Sequence, residues 1–212
     1  MAAPMAISPT RMELIKLRRR ISLAQRGHDL LTEKMDALII EFFEVLKKVK
    51  QARTNALQQL SAAHRMLSIC LAVVGTIETQ QAARESRREI QLDASTRYIM
   101  GIMTPALRIE RVERKVLERG YGIHFTSSAL DDAAREFEKT LKLLVELAEL
   151  EESARAIARE LEKTKRRANA LEYIIIPRLK ATIKFITMRL DEMERENFSR
   201  LKRIKAVLEA RT

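Results

Sequence analysis

The chain has 212 residues, of which 33% are charged and 46% are hydrophobic, whereas only 4% are aromatic. Five glycines and four prolines are too few to punctuate a domain of many strands and loops, and the apolar content is too high for a disordered chain. This composition predicts a mainly α-helical protein with long helices.

The single cysteine, Cys70, excludes an internal disulfide and a cysteine-based zinc site, and it favours a reducing compartment. No uninterrupted run of 18 apolar residues is present, so no membrane-spanning segment is predicted. The N-terminal sequence MAAPMAISPT lacks the charged region and the long apolar core of a signal peptide. We therefore expect a soluble, intracellular protein.

The net charge of +11 is unevenly distributed along the chain. Residues 1–60 contribute +5 and residues 161–212 contribute +7, whereas residues 61–160 contribute −1. If the two terminal segments pair, the molecule has one basic end, which favours an acidic or polyanionic partner there. A role in solubility alone is the simpler alternative.

A heptad pattern follows an N-terminal tail of residues 1–9. From Leu14, alternating steps of three and four residues reach 18 positions as far as Val73, of which 16 are apolar. Thr10 and Glu13 form a capping box, and Gly75 is a suitable stop. The pattern predicts a first long helix over residues 10–75.

A second long helix is predicted over residues 129–210, with Ser128 and Asp131 as its capping box. Its seam continues to Leu208, and Pro177 should bend it because proline lacks an N–H and its ring clashes with the carbonyl of Tyr173. The connecting region, residues 76–128, is ambiguous between helix and loop over 76–94. A short β-hairpin is predicted near residues 96–110, around Gly101.

Pairing of the two helices from the turn predicts that partner numbers add up to roughly 203, which places Gly27 almost opposite Pro177. The glycine would either leave room for the proline kink or pack against a surrounding partner. The seam of the predicted coiled coil includes Leu14, Leu17, Ile21, Leu31, Leu38, Phe42, Leu171, Ile175, Ile186 and Leu190.

No catalytic constellation is recognisable in the sequence. No Gly-Lys-Ser/Thr phosphate loop follows any glycine, and the three histidines are far apart, so we predict no catalytic residue, cofactor or metal. His28 is expected to fix register on the seam, and Cys70 to be a buried small hydrophobe. A single hairpin of long helices is not expected to enclose a pocket.

Basic clusters such as Lys16–Arg20 and Arg200–Lys205 leave two other functions open. A nucleic-acid-binding coiled coil agrees with the high pI, but acidic residues alternate with the basic ones and stacking aromatics are nearly absent. A basic scaffold or tether would show the same heptads. Neither alternative explains the proline inside the seam or the uneven charge.

Both ends of the chain resemble one protein family. Pro9-Thr10-Arg11, Leu17-Arg-Arg-Arg20 and Gly27-His28 are similar to the N-terminal signature of the D subunit, the central axle of A-type and V-type rotary ATPases. KRRANALEYIIIPRL (165–179) and LDEMERENFSRLKRIK (190–205) resemble its second signature. Ile99-Met-Gly101 before Pro105, and Glu118-Arg-Gly-Tyr-Gly122, follow in the same order as in archaeal members.

The resemblance implies an antiparallel two-helix coiled coil without an active site, serving as the central-stalk rotor subunit of an archaeal-type ATP synthase. It would transmit rotation between an ion-driven membrane ring and a catalytic head of three A and three B subunits, coupling proton or sodium flow to ATP synthesis or hydrolysis. The resemblance implies location at the cytoplasmic face of the membrane, held there only through the complex.

The implied partners are the A and B subunits, the funnel-like C subunit and the small F subunit, with no nucleic acid. The turn end would dock on the C subunit through Ile99, Met100, Gly101 and Pro105. The predicted contacts with the catalytic head are basic residues at the other end: Arg18, Arg19, Arg20, Arg200, Lys202, Arg203 and Lys205.

Overall fold

A computed structural model of the chain describes residues 8–86, 89–109, 112, 114, 118–121 and 127–209. Most of the predicted N-terminal tail, Gly122, His124 and residue 210 lie outside the described residues. The elements in chain order are α1 (Arg11–Val74), α2 (Thr76–Glu85), β1 (Leu92–Ile99), β2 (Ile102–Ile109), α3 (Ser128–Ala170), a π-helical turn (Leu171–Ile175) and α4 (Ile176–Glu209). The prediction of a mainly helical chain with one small hairpin is confirmed.

The N-terminal caps follow the sequence at α1 and differ from it at α3. The backbone N–H of Glu13 donates to Oγ1 of Thr10 over 3.3 Å, as predicted. At α3 the cap is Ser127, whose Oγ accepts from the N–H of Ala129 at 3.3 Å. Asp131 does not complete a capping box with Ser128, because its carboxylate is held by side chains from the connecting region.

Residues 1–37 and 161–212 form one compact unit. Its core consists of Leu17 from α1 with Leu179 and Ile186 from α4, flanked by half-buried Leu14, Ile21 and Leu190. The side chains of Arg11 and Glu194 pair, and His28 Nε2 lies 3.8 Å from a Glu172 carboxylate oxygen. The residue numbers of these two pairs add up to 205 and 200, as an antiparallel arrangement requires.

The wide turn before Pro177 changes the predicted seam locally. The N–H of Ile176 donates to the carbonyl of Leu171, five residues earlier, which is the bond of a π-helix. Such turns accommodate a proline, whose missing N–H interrupts the regular ladder. The extra residue rotates the helix, and Ile175, which the heptad placed on the seam, is 39% exposed.

Residues 38–160 form the second unit. Here α1 and α3 run antiparallel, with Arg53 Nη2 3.0 Å from Glu151 Oε1. Cys70, Leu130 and Ala133 share a core with Ala82 of α2, so residues 76–85 of the segment that the sequence left ambiguous over 76–94 are helical. Cys70 is fully buried in this core.

The hairpin packs beside α3 in the same unit. β1 and β2 pair antiparallel with Ile99 opposite Ile102, and the two-residue loop between them has φ of +48° at Met100 and +78° at Gly101. Positive φ at both loop positions is typical of a type I′ turn, in which glycine is favoured. The hairpin begins at Leu92, four residues earlier than predicted.

The sequence contains no uninterrupted apolar run long enough for a membrane span. When hydropathy is averaged over a window, however, α1 meets the criterion for a membrane-spanning helix. An 18-residue window within this helix reaches a mean hydropathy of 1.2 with no more than two charged residues. By length and composition alone, α1 is long and apolar enough to cross a membrane. Part of its apolar surface is the buried seam that contains Leu17, Leu38 and Cys70.

Candidate partner-binding surfaces

The predicted basic contacts are all exposed in the first unit. Lys and Arg number 21 in this unit against 11 Asp and Glu, which gives a net charge of +10. Among the described residues, Arg200 and Lys205 each make an exposed ion pair with a residue four positions away in α4, at 3.8 Å and 3.6 Å. Exposed pairs of this kind contribute about 0–1 kcal/mol, so these cations remain able to exchange partners. The exposed set comprises Arg18, Arg19, Arg20, Arg200, Lys202, Arg203 and Lys205.

The C-terminal part of α4 presents apolar side chains together with these cations. Every described side chain from 191 onward is exposed. The reason is that α1 begins at Arg11, whose ion pair with Glu194 lies near the last point at which α1 can pack against α4. The seam that the sequence predicts as far as Leu208 is therefore open in this chain. Its exposed members are Met193 (39%), Leu201 (65%), Ile204 (56%) and Leu208 (61%), and Phe198 beside the seam is 72% exposed.

The hairpin forms a second exposed surface. The cross-strand neighbours Tyr98 and Met103 are 63% and 64% exposed, and Met100 at the turn is 53% exposed. Of the predicted docking residues, Met100 and Gly101 are exposed, whereas Ile99 and Pro105 are half-buried. The outward face thus combines Met100 and Gly101 of the predicted docking set with Tyr98 and Met103, which that set did not include.

One carboxylate of α3 anchors the hairpin. Glu149 accepts a hydrogen bond from the backbone N–H of Leu107 at 3.0 Å, and it lies 4.0 Å from the guanidinium of Arg97. Thr104 is fully buried and donates to the carbonyl of Arg97 across the hairpin at 3.0 Å. These contacts hold β2 against the helix while β1 remains exposed along nearly its whole length.

A buried charged network fastens the connecting region to α3. Arg119 is 2% exposed, and its Nη1 donates to Asp131 Oδ1 at 2.9 Å and to the Asp131 carbonyl at 2.8 Å. Arg114 Nε donates to Glu138 Oε1 at 3.2 Å, and Arg114 Nη1 donates to the carbonyl of Ser86 at 2.9 Å. The network therefore links the end of α2 to the first turns of α3.

Protonation in this network follows from its hydrogen bonds. Burial opposes the charge on Arg119, but the Tyr121 hydroxyl and the carboxylates of Glu138 and Asp131 outweigh it, so the pKa of the guanidinium is raised. Burial and the hydrogen bond to Asp131 raise the pKa of Tyr121. Both shifts favour a charged arginine and a neutral tyrosine. In these protonation states the two side chains hold the network together through their hydrogen bonds to Asp131.

The expectation that no pocket would form is wrong. A cavity of about 960 Å³ lies beside α2, the connecting region and α3. It forms because α2, which the sequence did not predict as a helix, packs close to α3 and supplies one wall. Its walls are largely apolar, with Leu67, Leu130 and Phe137 among them, and the charged Arg114 and Glu138 in its lining pair with each other. Within the described ranges no three His, Cys, Asp or Glu side chains are placed to hold a metal ion.

Comparison with known proteins identifies the chain's relatives. The profile of the family described as the D subunit of ATP synthase matches residues 13–206. The A-type ATP synthase D subunit of Pyrococcus furiosus is 50% identical over 205 residues, which is 97% of this chain and 96% of the relative. The protein of the same name from Thermococcus gammatolerans is 48% identical over 212 residues, covering 100% of this chain and 99% of the relative.

The likeness extends beyond these two genera. The A-type ATP synthase D subunit of Methanopyrus kandleri is 48% identical over 207 residues, which is 96% of this chain and 87% of the relative. The matched segment covers nearly all of α1 and α4, the whole of α3 and the hairpin, and the basic surface described above. With half of its residues identical over almost its whole length, the chain belongs to the family of ATP synthase D subunits.

Proposed function

We propose that this chain, as a central-stalk subunit of an A-type ATP synthase, transmits rotation between a membrane ring driven by proton or sodium flow and a catalytic head of A and B subunits. The observation that carries the proposal is the 48–50% sequence identity, over almost the full length of the chain, to relatives named as D subunits of A-type ATP synthases. Long antiparallel helices with exposed cations at their free ends support it. The chain is a non-catalytic subunit of the complex, and the scaffold and nucleic-acid alternatives are not favoured.

The basic unit is the proposed contact with the head. Its net charge of +10 would attract an acidic lining, and exposed cations can exchange partners as the stalk turns. Each orientation would stabilise a different state of the A/B interfaces, since a rotor can shift a conformational equilibrium only through contacts that differ between states. The open seam beyond Leu190 would add apolar contact to this attraction.

The hairpin is the proposed contact with the C subunit, and the F subunit is a further proposed partner of the stalk. Exposed Tyr98, Met100 and Met103 give the hairpin an apolar outer face, and Glu149 holds its base on α3. Through these partners the chain would be a peripheral part of the membrane complex at its cytoplasmic face, without itself entering the bilayer.

Co-purification with the cognate A and B subunits tests the proposal, combined with charge neutralisation. Replacing Arg18, Arg20, Lys202 and Arg203 together by glutamine should weaken binding to the head and reduce the salt dependence of that binding. A single replacement should change little, because exposed pairs are individually weak. The thermal stability of the isolated chain should be nearly unchanged.

The matched control neutralises four exposed cations of the other unit, Lys47, Lys48, Lys50 and Lys142. This variant should bind the head as the wild type does. Failure of the wild type to co-purify with A and B subunits would overturn the proposed function. Normal binding of the first quadruple variant at physiological salt would instead reduce the basic surface to a solubility feature.

A further inference from the structure

Gly27 lies inside α1 without any structural requirement for glycine in this chain. Unlike Gly75, Gly101 and Gly120, it does not have a positive φ. A Cβ added at Gly27 would meet no heavy atom within 4 Å apart from its immediate helical backbone. Glycine in a helix lowers the folding equilibrium constant about fivefold relative to alanine. Neither backbone conformation nor crowding from the proline turn explains the presence of glycine at this position.

The side chains beside Gly27 form the walls of a notch. Leu23 lies one turn before the glycine and Leu30 one turn after it, on the same face of α1. Both leucines are large and apolar, yet they are 65% and 64% exposed. A missing side chain between two exposed leucines leaves a concave apolar site, the shape that receives an anchoring side chain at protein interfaces. We call Leu23, Gly27 and Leu30 the Gly27 notch.

Charge on the same side of the helix indicates what would enter the notch. Arg19 and Arg20 precede Leu23 by one turn and are exposed, and neither forms an ion pair within the part of the chain that the structure describes. Lys34 and Glu33 both follow Leu30 by one turn and are also exposed, so the three cations outnumber the one carboxylate here. A partner that fits both features carries a large apolar side chain with carboxylates close to it.

We propose that the Gly27 notch receives a large apolar side chain, flanked by acidic residues, from a loop of the catalytic head. The inference rests on the proposed function, and it adds one defined apolar contact to the diffuse charge attraction. Because α1 presents the notch on one face only, a turning stalk offers it to one member of the head at a time. The notch would therefore favour one state of the facing member over the others.

Filling the notch tests the proposal. Gly27→Ala should raise the folding equilibrium constant of the isolated chain about fivefold, since alanine is the better helix former and no atom opposes its Cβ. Gly27→Leu should fold as well but bind the assembled cognate A and B subunits at least tenfold more weakly, because an overpacked interface excludes the incoming side chain. Denaturant titration of the isolated chain and binding assays with the head measure these effects.

Ser22→Ala is the control, because Ser22 is exposed in α1 on a different face from Gly27. It should stabilise the isolated chain slightly and leave the affinity for the head unchanged. If the wild type binds the head and Gly27→Leu binds it equally well, the notch is not occupied and only this inference fails. If Gly27→Ala destabilises the isolated chain, the glycine serves contacts within the chain, which also overturns it. If the wild type does not bind at all, the proposed function itself fails.

Discussion

At the scale of single residues, the most consequential side chain is Arg119. Its guanidinium is 2% exposed and lies between Asp131 at 2.9 Å and Glu138 at 3.5 Å. Removing the Arg119 guanidinium takes the nearest cation from the Asp131 carboxylate, which keeps only weaker compensation from the Tyr121 hydroxyl, while Glu138 keeps its pair with Arg114. We therefore expect Arg119→Met to lower the free energy of unfolding by about 3 kcal/mol, measured by urea denaturation.

An exposed ion pair at the start of α3 provides the control for Arg119. Arg135 and Asp132 lie 3.5 Å apart and both side chains are about half exposed. Arg135→Met should cost less than about 1 kcal/mol, because water screens the pair and solvates the remaining carboxylate. Equal losses for the two variants would show that the Arg119 network is not coupled to global unfolding.

At the scale of elements, the hairpin depends on its turn. Gly101 has φ of +78°, and an L-residue with a Cβ is disfavoured in that region by about 1–2 kcal/mol. Gly101→Ala should therefore raise amide hydrogen exchange in β1 and β2 about tenfold. Met100→Asn should have the opposite effect, because asparagine tolerates the positive φ that Met100 adopts. Unchanged exchange in both variants would contradict a turn-controlled hairpin.

At the scale of the whole molecule, stability and assembly depend on different residues. Phe198 and Leu201 are 72% and 65% exposed, so replacing both by serine should change the isolated chain's free energy of unfolding by less than about 0.5 kcal/mol for each. Binding to the catalytic head should weaken, because the same side chains would be covered there. Calorimetry of the free chain and binding to A and B subunits separate the two effects.

Leu17→Ser is the contrasting variant, since Leu17 is 2% exposed in the core with Leu179 and Ile186. It should destabilise the isolated chain by more than about 2 kcal/mol, because it leaves a cavity and buries a hydroxyl. If the Phe198 and Leu201 variant unfolds as readily as Leu17→Ser, the end of α4 is packed within the free chain. That result would remove it as a docking surface.

The sequence by itself determined the long helices, their antiparallel direction and the hairpin. A 3.5-residue period sustained from Leu14 to Val73 indicates that one face of the helix is buried. Preferences for residues at helix caps and tight turns predicted the roles of Thr10 and Gly101. Only the tertiary structure decided what depends on contacts distant along the chain. The heptad continued past Leu190 although α1 offers no partner there, and Ile175 left the seam because the π-helical turn adds a residue. The cavity, the Glu149 anchor and the Arg119 network join residues whose proximity no periodicity records, because it arises only when the connecting region packs on α3.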